Sequence, residues 1–409
     1  MPKMLVGIDV DLRSNHVRFM DDAGNSLASF SVANDLPGAT KIASRIRAAT
    51  MELGIDSVKI GMEATSNLGW HLAHFLNQEI KNHIPDTRVY VLNARKVARF
   101  KKGYDSLPKN DRLDAWVIAD HLRFGRLSNA MNDAYQYEAL QRLTRTRYHM
   151  MQTLTREKTY CLNNVFLKFS TMRTDSPFSD TYGTTSLAVI QELEPEQICA
   201  MSMEDLIDFL QQKGNNHFAD PQKIALDLKK IARSSYRLNK AMVDPVNLAL
   251  RCSLNTIKFL ESEIKHLDKA IAKLMKDVPQ TLSSVDGIGD VLAAGIISEI
   301  GDIKRFKDQN ALAKYAGLSW NEHQSGQFVA EDTPRTKTGN KYLRYYLIQA
   351  ANSVRRNDSV FEEFYQKKFA EVPKHQHKRA LVLTARKLVR LVYSLLCTRQ
   401  LYTRPERGN

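Results

Sequence analysis

The first third of the chain alternates short apolar runs with longer amphipathic stretches, and this alternation restricts the fold more than any other feature. Three β-prone runs come first, at residues 4–10, 16–21 and 26–31, with the turn sequence Asp-Ala-Gly-Asn at 22–25 between the last two. Runs of this kind separated by turn residues are typical of hairpins. The sequence therefore predicts a three-stranded meander.

Helices and strands then alternate. The pattern predicts helices over about 38–53, 68–78 and 111–124, and strands over 57–62 and 88–92. Three strands followed by helix, strand, helix, strand and helix is the order of an RNase H-like α/β domain. We expect that domain to span about residues 1–130.

Two of the apolar runs end in an acidic residue. Asp9 ends the run 4–9 and Glu63 ends the run 58–63. If the two strands are neighbours in a sheet, both carboxylates emerge side by side. Asp111 and Asp114 are three residues apart on a predicted helix, so they share a face.

Four like charges gathered in one place repel one another, and a divalent cation relieves that repulsion. Mg²⁺ prefers hard oxygen ligands, and two ions roughly 3.5 to 4 Å apart can stabilise the attacking and leaving oxygens of a phosphoryl transfer. Each acid alone has an ordinary explanation; Asp111, for instance, can cap a helix, with Asp114 in its first turn. Together, Asp9, Glu63, Asp111 and Asp114 predict a Mg²⁺ site, with two ions.

An ATPase of the sugar-kinase or actin type also begins with an apolar strand that ends in Gly-Ile-Asp. Its phosphate-binding hairpin needs glycine directly after the aspartate, so that backbone N–H groups can approach the nucleotide. Residues 10–15 contain no glycine, and the chain has no GxxxxGK[ST] loop. The sequence therefore disfavours an ATPase.

The middle of the chain is predicted to be helical, with long coiled-coil-like helices over 131–280 and an inserted segment over about 170–245. Leucine, isoleucine and valine recur between 250 and 278, mostly at spacings of three and four. Two interpretations stay open. The stripe pairs with the preceding long helix or with a second protomer, or it belongs to a helix buried within one protomer.

Basic residues outnumber acidic ones by 59 to 45, and residues 335–409 contain 17 Lys and Arg against 5 Asp and Glu. This concentration indicates a nucleic-acid partner, although a solvated cationic face is the plain alternative. A second basic stretch precedes Asp111 and includes Phe100 and Tyr104, which suits stacking and phosphate contacts with single-stranded or RNA-paired nucleic acid. The basic residues of this second stretch are Arg95, Lys96, Arg99, Lys101, Lys102 and Lys109.

No apolar run reaches the length of a membrane span, so we expect a cytoplasmic, nucleoid-associated protein with no membrane partner. The four cysteines are far apart and include no CxxC pair. Structural zinc and a disulfide framework are therefore not expected.

Several motifs occur in a defined order along the chain. They are GID at 7–9, MEAT at 62–65, KNDRLDA at 109–115, GIGDVLAAGIISEIGD at 287–302, RFKDQNALAKYAGL at 305–318, QSG at 324–326 and KTGNKYLRYYL at 337–347. The set resembles the Piv-like DEDD transposases, the IS-one-ten family of insertion-sequence recombinases. The resemblance covers residues up to about 126 and from about 282 to 347.

The resemblance implies a RuvC-like catalytic domain whose four acids are Asp9, Glu63, Asp111 and Asp114. It also implies a mainly helical C-terminal transposase domain, over 281–409, in which Ser325 is the nucleophile. Members act with an element-encoded bridge RNA that pairs with target and donor DNA. They form homo-oligomers, dimers or tetramers, in which the acids of one protomer work with the serine of another.

Local departures from the family pattern put DNA contacts in doubt, but not the four acids and the serine. Asp286 replaces the usual proline before Gly-Ile-Gly, and residues 319–322 replace a basic pair. Gly287 and Gly289 resemble a helix-hairpin-helix turn that approaches a phosphate, although a plain tight turn is an equal alternative. The cations expected to contact phosphate near the serine are Arg335, Lys337, Lys341 and Arg344.

The leading hypothesis is thus RNA-guided, site-specific DNA strand cleavage and exchange through a phosphoserine at Ser325. A RuvC-type nuclease that hydrolyses DNA with metal-activated water, and needs no serine, is the alternative enzyme. A nucleic-acid-binding scaffold without activity is the non-enzymatic alternative, and the presence of all four acids argues against it.

Overall fold

The computed structural model describes residues 3–64, 67–104, 110–127, 130–131, 135–320, 324–325, 328–329 and 338–404. The chain divides into two compact units, 1–133 and 134–409. The predicted division of the second unit into a central region and a C-terminal domain stays a prediction.

A five-stranded mixed sheet with helices on both faces forms the first unit. Its elements are β1 (Lys3–Val10), β2 (Ser14–Met20), β3 (Ser26–Ala33), α1 (Leu36–Leu53), β4 (Ser57–Glu63), α2 (Trp70–Lys81), β5 (Asp86–Leu92), α3 (Ala94–Lys101) and α4 (Asp111–Phe124). The element order expected from the sequence is confirmed, with one addition. The short basic helix α3 lies where no element was predicted.

The strand order is β3-β2-β1-β4-β5, which places β1 at the centre. The first three strands are antiparallel, whereas β4 and β5 run parallel to β1. Met4 and Ile8 of β1 pack with α1 and α2, while Leu5 belongs to a second cluster with Ile118 and Leu122 of α4. Apolar residues on both faces of β1 therefore hold helices on both sides of the sheet.

The second unit is mostly helical, as predicted. Its long helices α5 (Tyr135–Lys168) and α11 (Lys240–Met275) form an antiparallel pair. Five shorter helices connect them: α6 (Met172–Asp175), α7 (Thr184–Glu192), α8 (Pro195–Ala200), α9 (Met203–Lys213) and α10 (Pro221–Ser234). The heptad-like stripe of α11, including Leu254, Ile257 and Ile264, is buried in a core shared with Leu154 and Val165 of α5. Packing within one chain therefore uses this stripe.

The remaining α-helices of this unit share one apolar core that extends from Leu140 to Leu395. They are α12 (Asp290–Ile300), α13 (Gln309–Ala316), α14 (Lys341–Val354), α15 (Ser359–Ala370) and α16 (Gln376–Thr398). Two short strands, β6 (Gln324–Ser325) and β7 (Phe328–Val329), lie between α13 and α14 in the sequence. Strands β6 and β7 are antiparallel. Among the described helices, none has the length and apolar character that crossing a membrane requires.

The turn before α12 has a packing explanation. Gly287 has a φ of 97°, and a Cβ there would lie 2.9 Å from backbone atoms of Ser353 and Val354. A residue with a side chain would thus be strained and would also clash with the end of α14. The helix-hairpin-helix interpretation, with a phosphate at Gly287 and Gly289, stays a prediction.

Candidate carboxylate site

Three elements bring the predicted acids to one edge of the sheet. Asp9 is the next-to-last residue of β1, and Glu63 is the last residue of the parallel strand β4. The parallel register pairs Ile8 with Met62. Asp9 and Glu63 are the next residues of the two strands, so they are neighbours across the sheet. Parallel strands end at the same edge, where ligands of open α/β sheets commonly bind.

Helix α4 supplies the other two acids from its first turn. The N-cap is Asn110, whose side-chain oxygen accepts a hydrogen bond of 2.9 Å from the Arg112 N–H. The alternative in which Asp111 is the cap is therefore wrong. Because Asn110 satisfies the helix end, Asp111 and Asp114 are left to face the sheet edge.

One carboxylate oxygen each of Asp9, Asp111 and Asp114 lie within 4.8 Å of one another. Glu63 does not belong to this group, but its charge acts on Asp9, and that of Asp114 acts on Glu63. The structure thus joins three of the predicted acids and places the fourth beside them.

Two glycines in the sheet allow helix α4 to lie close to strands β1 and β4. A Cβ on Gly7 would lie 2.1 Å from the carbonyl oxygen of Ala115 and 2.5 Å from the Ala119 nitrogen. Gly61, paired with Gly7 in the sheet register, would meet the Leu122 side chain at 2.9 Å. A glycine stands two residues before each strand acid, and this spacing is the local sequence signal of the close approach.

Crowding of the acids changes their protonation. The pKa of Asp9 is raised to about 6, first by burial and then by the charges of Asp114, Asp111 and Glu63, against a lowering effect of His16. Burial also raises the pKa of Glu63, followed by the charge of Asp114. The site therefore holds more negative charge than its surroundings stabilise.

Two basic side chains, Lys101 and His16, lie at this edge. The ammonium of Lys101, expected to contact nucleic acid, forms an ion pair with Asp114. His16 lies opposite Asp9 in the β1–β2 register. Its Nε2 is 3.6 Å from Asp111 Oδ2 and its Nδ1 is 2.8 Å from Ser31 Oγ. Sequence reasoning missed His16, because only the strand register brings it to the acids.

The donor set fits a divalent cation. Three carboxylates converge from two elements, and all their donor atoms are hard oxygens, the ligands that Mg²⁺ prefers. Burial and the neighbouring acids disfavour the charged form of Asp9, and a bound cation would favour that form instead. Asp9, Asp111 and Asp114 would hold such an ion, with Glu63 adjacent.

The basic stretch before Asp111 is only partly free for nucleic acid. Arg95, Lys96, Arg99 and Lys102 are exposed. Phe100 instead stacks on His121 with 4.7 Å between ring centroids.

The second aromatic residue of this stretch is also engaged within the unit. The Tyr104 hydroxyl donates to the buried Asp120. These contacts occupy the two rings expected to stack on bases. Lys109 lies outside the described residues.

In the second unit, Ser325 is the last residue of β6, and its backbone pairs with Phe328. Arg335 and Lys337 lie outside the described residues. Lys341 is exposed, with its ammonium 5.0 Å from the centroid of the Tyr342 ring. The Arg344 guanidinium is directed to the Ala316 carbonyl oxygen at 3.4 Å. Nucleic-acid contacts of these residues stay predictions.

Comparisons with known proteins agree with this architecture. A family model of DEDD transposases of the IS110 type, described as transposase, matches residues 6–167. A second model, described as transposase of the IS116/IS110/IS902 family, matches residues 279–366. The two matches contain all four acids and Ser325 between them.

Similar proteins support the same assignment. An insertion element IS116 uncharacterized 44.8 kDa protein from Streptomyces clavuligerus is 23% identical over 98% of this chain and 96% of its own length. The pilin gene-inverting protein of Moraxella bovis is 27% identical over 35% of this chain and 46% of its own length.

Among solved structures, T. thermophilus RuvC in complex with a Holliday junction substrate matches at 15% identity and a TM-score of 0.24. It covers 32% of this chain and 99% of that chain. The two family models and the relatives together place this chain in the IS110/IS116 family of transposases, enzymes of the transposase and DNA recombinase class.

Proposed function

We propose that the chain catalyses RNA-guided, site-specific cleavage and exchange of DNA strands, with Ser325 as the nucleophile and Mg²⁺ at the carboxylate site. The observation that carries the proposal is the convergence of Asp9, Asp111 and Asp114 within 4.8 Å. The basic side chains nearby do not neutralise all of these carboxylates, so the site can bind a metal ion that assists phosphoryl transfer. The proposed partners are target and donor DNA, an element-encoded bridge RNA and a second copy of the chain.

The first step conserves the energy of the broken DNA bond. The Ser325 Oγ attacks a backbone phosphorus, the Oγ–P bond forms, and the bond from phosphorus to a sugar oxygen breaks. The hydroxyl proton leaves the serine, and the leaving oxygen takes up a proton. A sugar hydroxyl of another strand then attacks the phosphoserine and releases the serine, so the number of phosphodiester bonds is unchanged.

The acids have separate parts in this scheme. A bound divalent cation supplies positive charge that stabilises the attacking and leaving oxygens. Asp9 and Asp114 would hold it from the half-buried side and Asp111 from the exposed side, where nucleic acid enters. Lys101 balances part of the negative charge from the protein side.

A direct test is the Ser325→Ala variant of the full chain, assayed with its co-purified RNA and a labelled duplex that spans an end of the element. We expect loss of covalent protein–DNA adducts on denaturing gels, with duplex affinity within about 2-fold of the wild type, because an alanine cannot form the ester. Ser283→Ala is the matched control, since Ser283 is exposed in the same unit. Adducts that persist in Ser325→Ala would contradict the proposal.

A metal-dependent nuclease is the second candidate, because the acids all lie in the first unit and need no serine for hydrolysis. In that case Ser325→Ala would retain full strand cleavage and leave free hydroxyl and phosphate ends.

RNA guidance has its own test. RNA that co-purifies with the protein would be sequenced, and loops that pair with DNA beside the gene are the expected result.

A further inference from the structure

A buried carboxylate lies in the second unit, far along the chain from the acids of the proposed metal site. The Glu299 side chain, in the last turn of α12, has no exposed surface. Arg145 of α5 donates to both of its oxygens, Nε to Oε1 at 2.7 Å and Nη2 to Oε2 at 2.9 Å. Asn340 Nδ2 donates to Oε2 at 2.7 Å. A buried charge is retained only when it is paired and hydrogen-bonded in this way.

Asn340 links this carboxylate to the start of α14 and to the last turn of α13. Its Oδ1 accepts from the N–H groups of Tyr342 and Leu343 and so caps α14. Its own backbone N–H donates to the Tyr315 carbonyl oxygen of α13 at 2.7 Å. Its Nδ2 also lies 3.2 Å from the Tyr315 hydroxyl. One side chain therefore joins α12, α13 and α14.

Two glycines complete the same junction. Gly317 ends α13 with a φ of 69°, and Gly339 precedes Asn340 with a φ of 107°. A Cβ on Gly339 would lie 2.6 Å from the Gly317 nitrogen, and one on Gly317 would lie 2.3 Å from the Thr338 carbonyl oxygen. The backbone before residue 319 and the backbone after residue 337 are thus in direct contact.

The segment 319–337 contains Ser325, and Asn340 follows its end by three residues. Glu299 accepts a hydrogen bond from Asn340, which is in turn hydrogen-bonded to Tyr315, four residues before the start of the segment. We propose that Glu299 is a positioning residue, which with Arg145 and Asn340 fixes the base of this segment and so sets where Ser325 is presented. The inference rests on the proposed role of Ser325 and adds a group that never touches DNA. It accounts for a buried acid that the carboxylate site does not use.

A second ion pair on α5 offers a matched control. Arg147, two residues after Arg145, donates to both oxygens of Asp268 on α11. This pair joins the two long helices, and Arg147 also interacts with Tyr345 and Tyr346 of α14. Among the described residues, the pair has no hydrogen bond to residues 315–318 or 338–343. Asp268→Asn removes a half-buried bidentate ion pair without touching the base of the segment.

The test compares Glu299→Gln with Asp268→Asn in the full chain, with co-purified RNA and the labelled duplex. Glutamine keeps the size of the side chain but removes the charge that pairs with Arg145. A misplacement of about 1 Å can lower a rate by about 10²-fold. We expect Glu299→Gln to lower the rate of adduct formation at saturating duplex by about that factor, with duplex affinity unchanged. Asp268→Asn should stay within about 2-fold of the wild-type rate.

Hydrogen exchange supplies a readout that does not depend on chemistry. The amides of Leu318 and Asn340 donate to the Ala313 and Tyr315 carbonyl oxygens. Exchange of both should accelerate in Glu299→Gln and not in Asp268→Asn. If Glu299→Gln does not fold, Asn340→Ser replaces it, because serine keeps a helix cap and loses the donor to Glu299.

The outcomes separate the two proposals. Absence of adducts in the wild type would overturn the role of Ser325. If the wild type forms adducts, and Glu299→Gln and Asn340→Ser form them at the wild-type rate, the positioning role alone would be overturned. Equal loss in Glu299→Gln and Asp268→Asn would also overturn it, since the effect would then be one of general stability.

Discussion

At the scale of single residues, the carboxylate site shows a conflict between folding and function. Asp9 is half-buried beside two other acids that lie within 4.8 Å, an arrangement that folding alone does not favour. The charged form of Asp9 is disfavoured in the folded chain, which raises its pKa from 3.8 to about 6, chiefly through burial. A divalent cation would turn this unfavourable cluster into a stabilising one.

The raised pKa of Asp9 determines how the stability of the metal-free protein changes with pH. Because the folded chain binds the Asp9 proton more tightly than the unfolded chain, stability without metal falls as the pH rises from about 4 to about 6. Above pH 6 the penalty is fully present. Removing the charge should therefore stabilise the metal-free protein at pH 8 and have a smaller effect at pH 5.

We predict that Asp9→Asn raises the melting temperature of the protein in a metal chelator at pH 8. The expected gain is on the order of 1 kcal/mol, since partial exposure of Asp9 screens the repulsion. Mg²⁺ should raise the melting temperature of the wild type but not that of Asp9→Asn. Calorimetry at pH 5 and pH 8 measures both effects.

Asp11→Asn is the control for this prediction, because Asp11 is an exposed acid two residues further along. It should leave the melting temperature and its response to Mg²⁺ unchanged. A melting temperature of Asp9→Asn at or below that of the wild type at pH 8 in chelator would show that the charged form of Asp9 does not destabilise the folded chain.

At the scale of elements, the distance between β1 and α4 decides whether the acids meet. Asp9 and the pair on α4 come from elements whose backbones approach closely at Gly7. A side chain there would collide with the helix backbone, which cannot rotate away. Gly61 differs, because the neighbour of its missing Cβ is the flexible Leu122 side chain.

We predict that Gly7→Ala lowers the free energy of unfolding by about 2–3 kcal/mol through overpacking. It should also abolish the Mg²⁺-dependent rise in melting temperature, because α4 moves away from Asp9. Gly61→Ala should cost less, since Leu122 can change rotamer. Denaturant titrations with and without Mg²⁺ measure both quantities.

Gly289→Ala is the open-space control, because nothing lies within 4 Å of a Cβ built there. It should change the free energy of unfolding by less than about 0.5 kcal/mol. A Gly7→Ala protein with wild-type stability and an intact response to Mg²⁺ would mean that the helix tolerates a wider separation from the strand.

The elements also show which parts of the site the sequence could predict. Asp9 and Glu63 follow from strand ends, and Asp111 and Asp114 from a spacing of three on one helix, so local patterns were sufficient. His16 reaches the acids through a hairpin register, and Lys101 through a helix that the pattern did not indicate. Such placements depend on packing between elements, which periodicity does not contain.

Longer separations were beyond sequence reasoning altogether. Arg145 and Glu299 are 154 positions apart and meet only because α5 and α12 pack together. In the sequence, Glu299 is one more acid in an apolar helix, and Asn340 is one more polar residue before a basic stretch. The heptad-like stripe of α11 left pairing with the preceding long helix, dimerisation and burial within one protomer open, and the structure packs the stripe against α5 of the same chain.

At the scale of the whole molecule, the proposed reaction needs groups from both units. The carboxylates belong to the first unit and Ser325 to the second. Strand exchange also requires more than one DNA end to be held at once, which a homo-oligomer provides. The family resemblance implies that the acids of one protomer work with the serine of another, and this arrangement has a quantitative consequence.

We predict that two inactive variants complement each other. In a dimer with shared sites, a mixed pair of Asp9→Asn and Ser325→Ala chains has one site with intact acids and an intact serine, and one site without either. Random mixing at equal amounts makes about half of the dimers mixed. Recombination should therefore recover to about one quarter of the wild-type level, although each variant alone is inactive.

The arrangement within one chain gives a different result. If the acids and the serine of the same chain act together, every site in a mixed dimer lacks one component, and mixing recovers no activity. Mixing Asp9→Asn with Asp114→Asn is the control, since both changes affect the acids and neither chain can supply an intact set. Recovery in that control would show that the readout reports subunit stability, whereas recovery confined to the first mixture would assign the acids and Ser325 to different protomers.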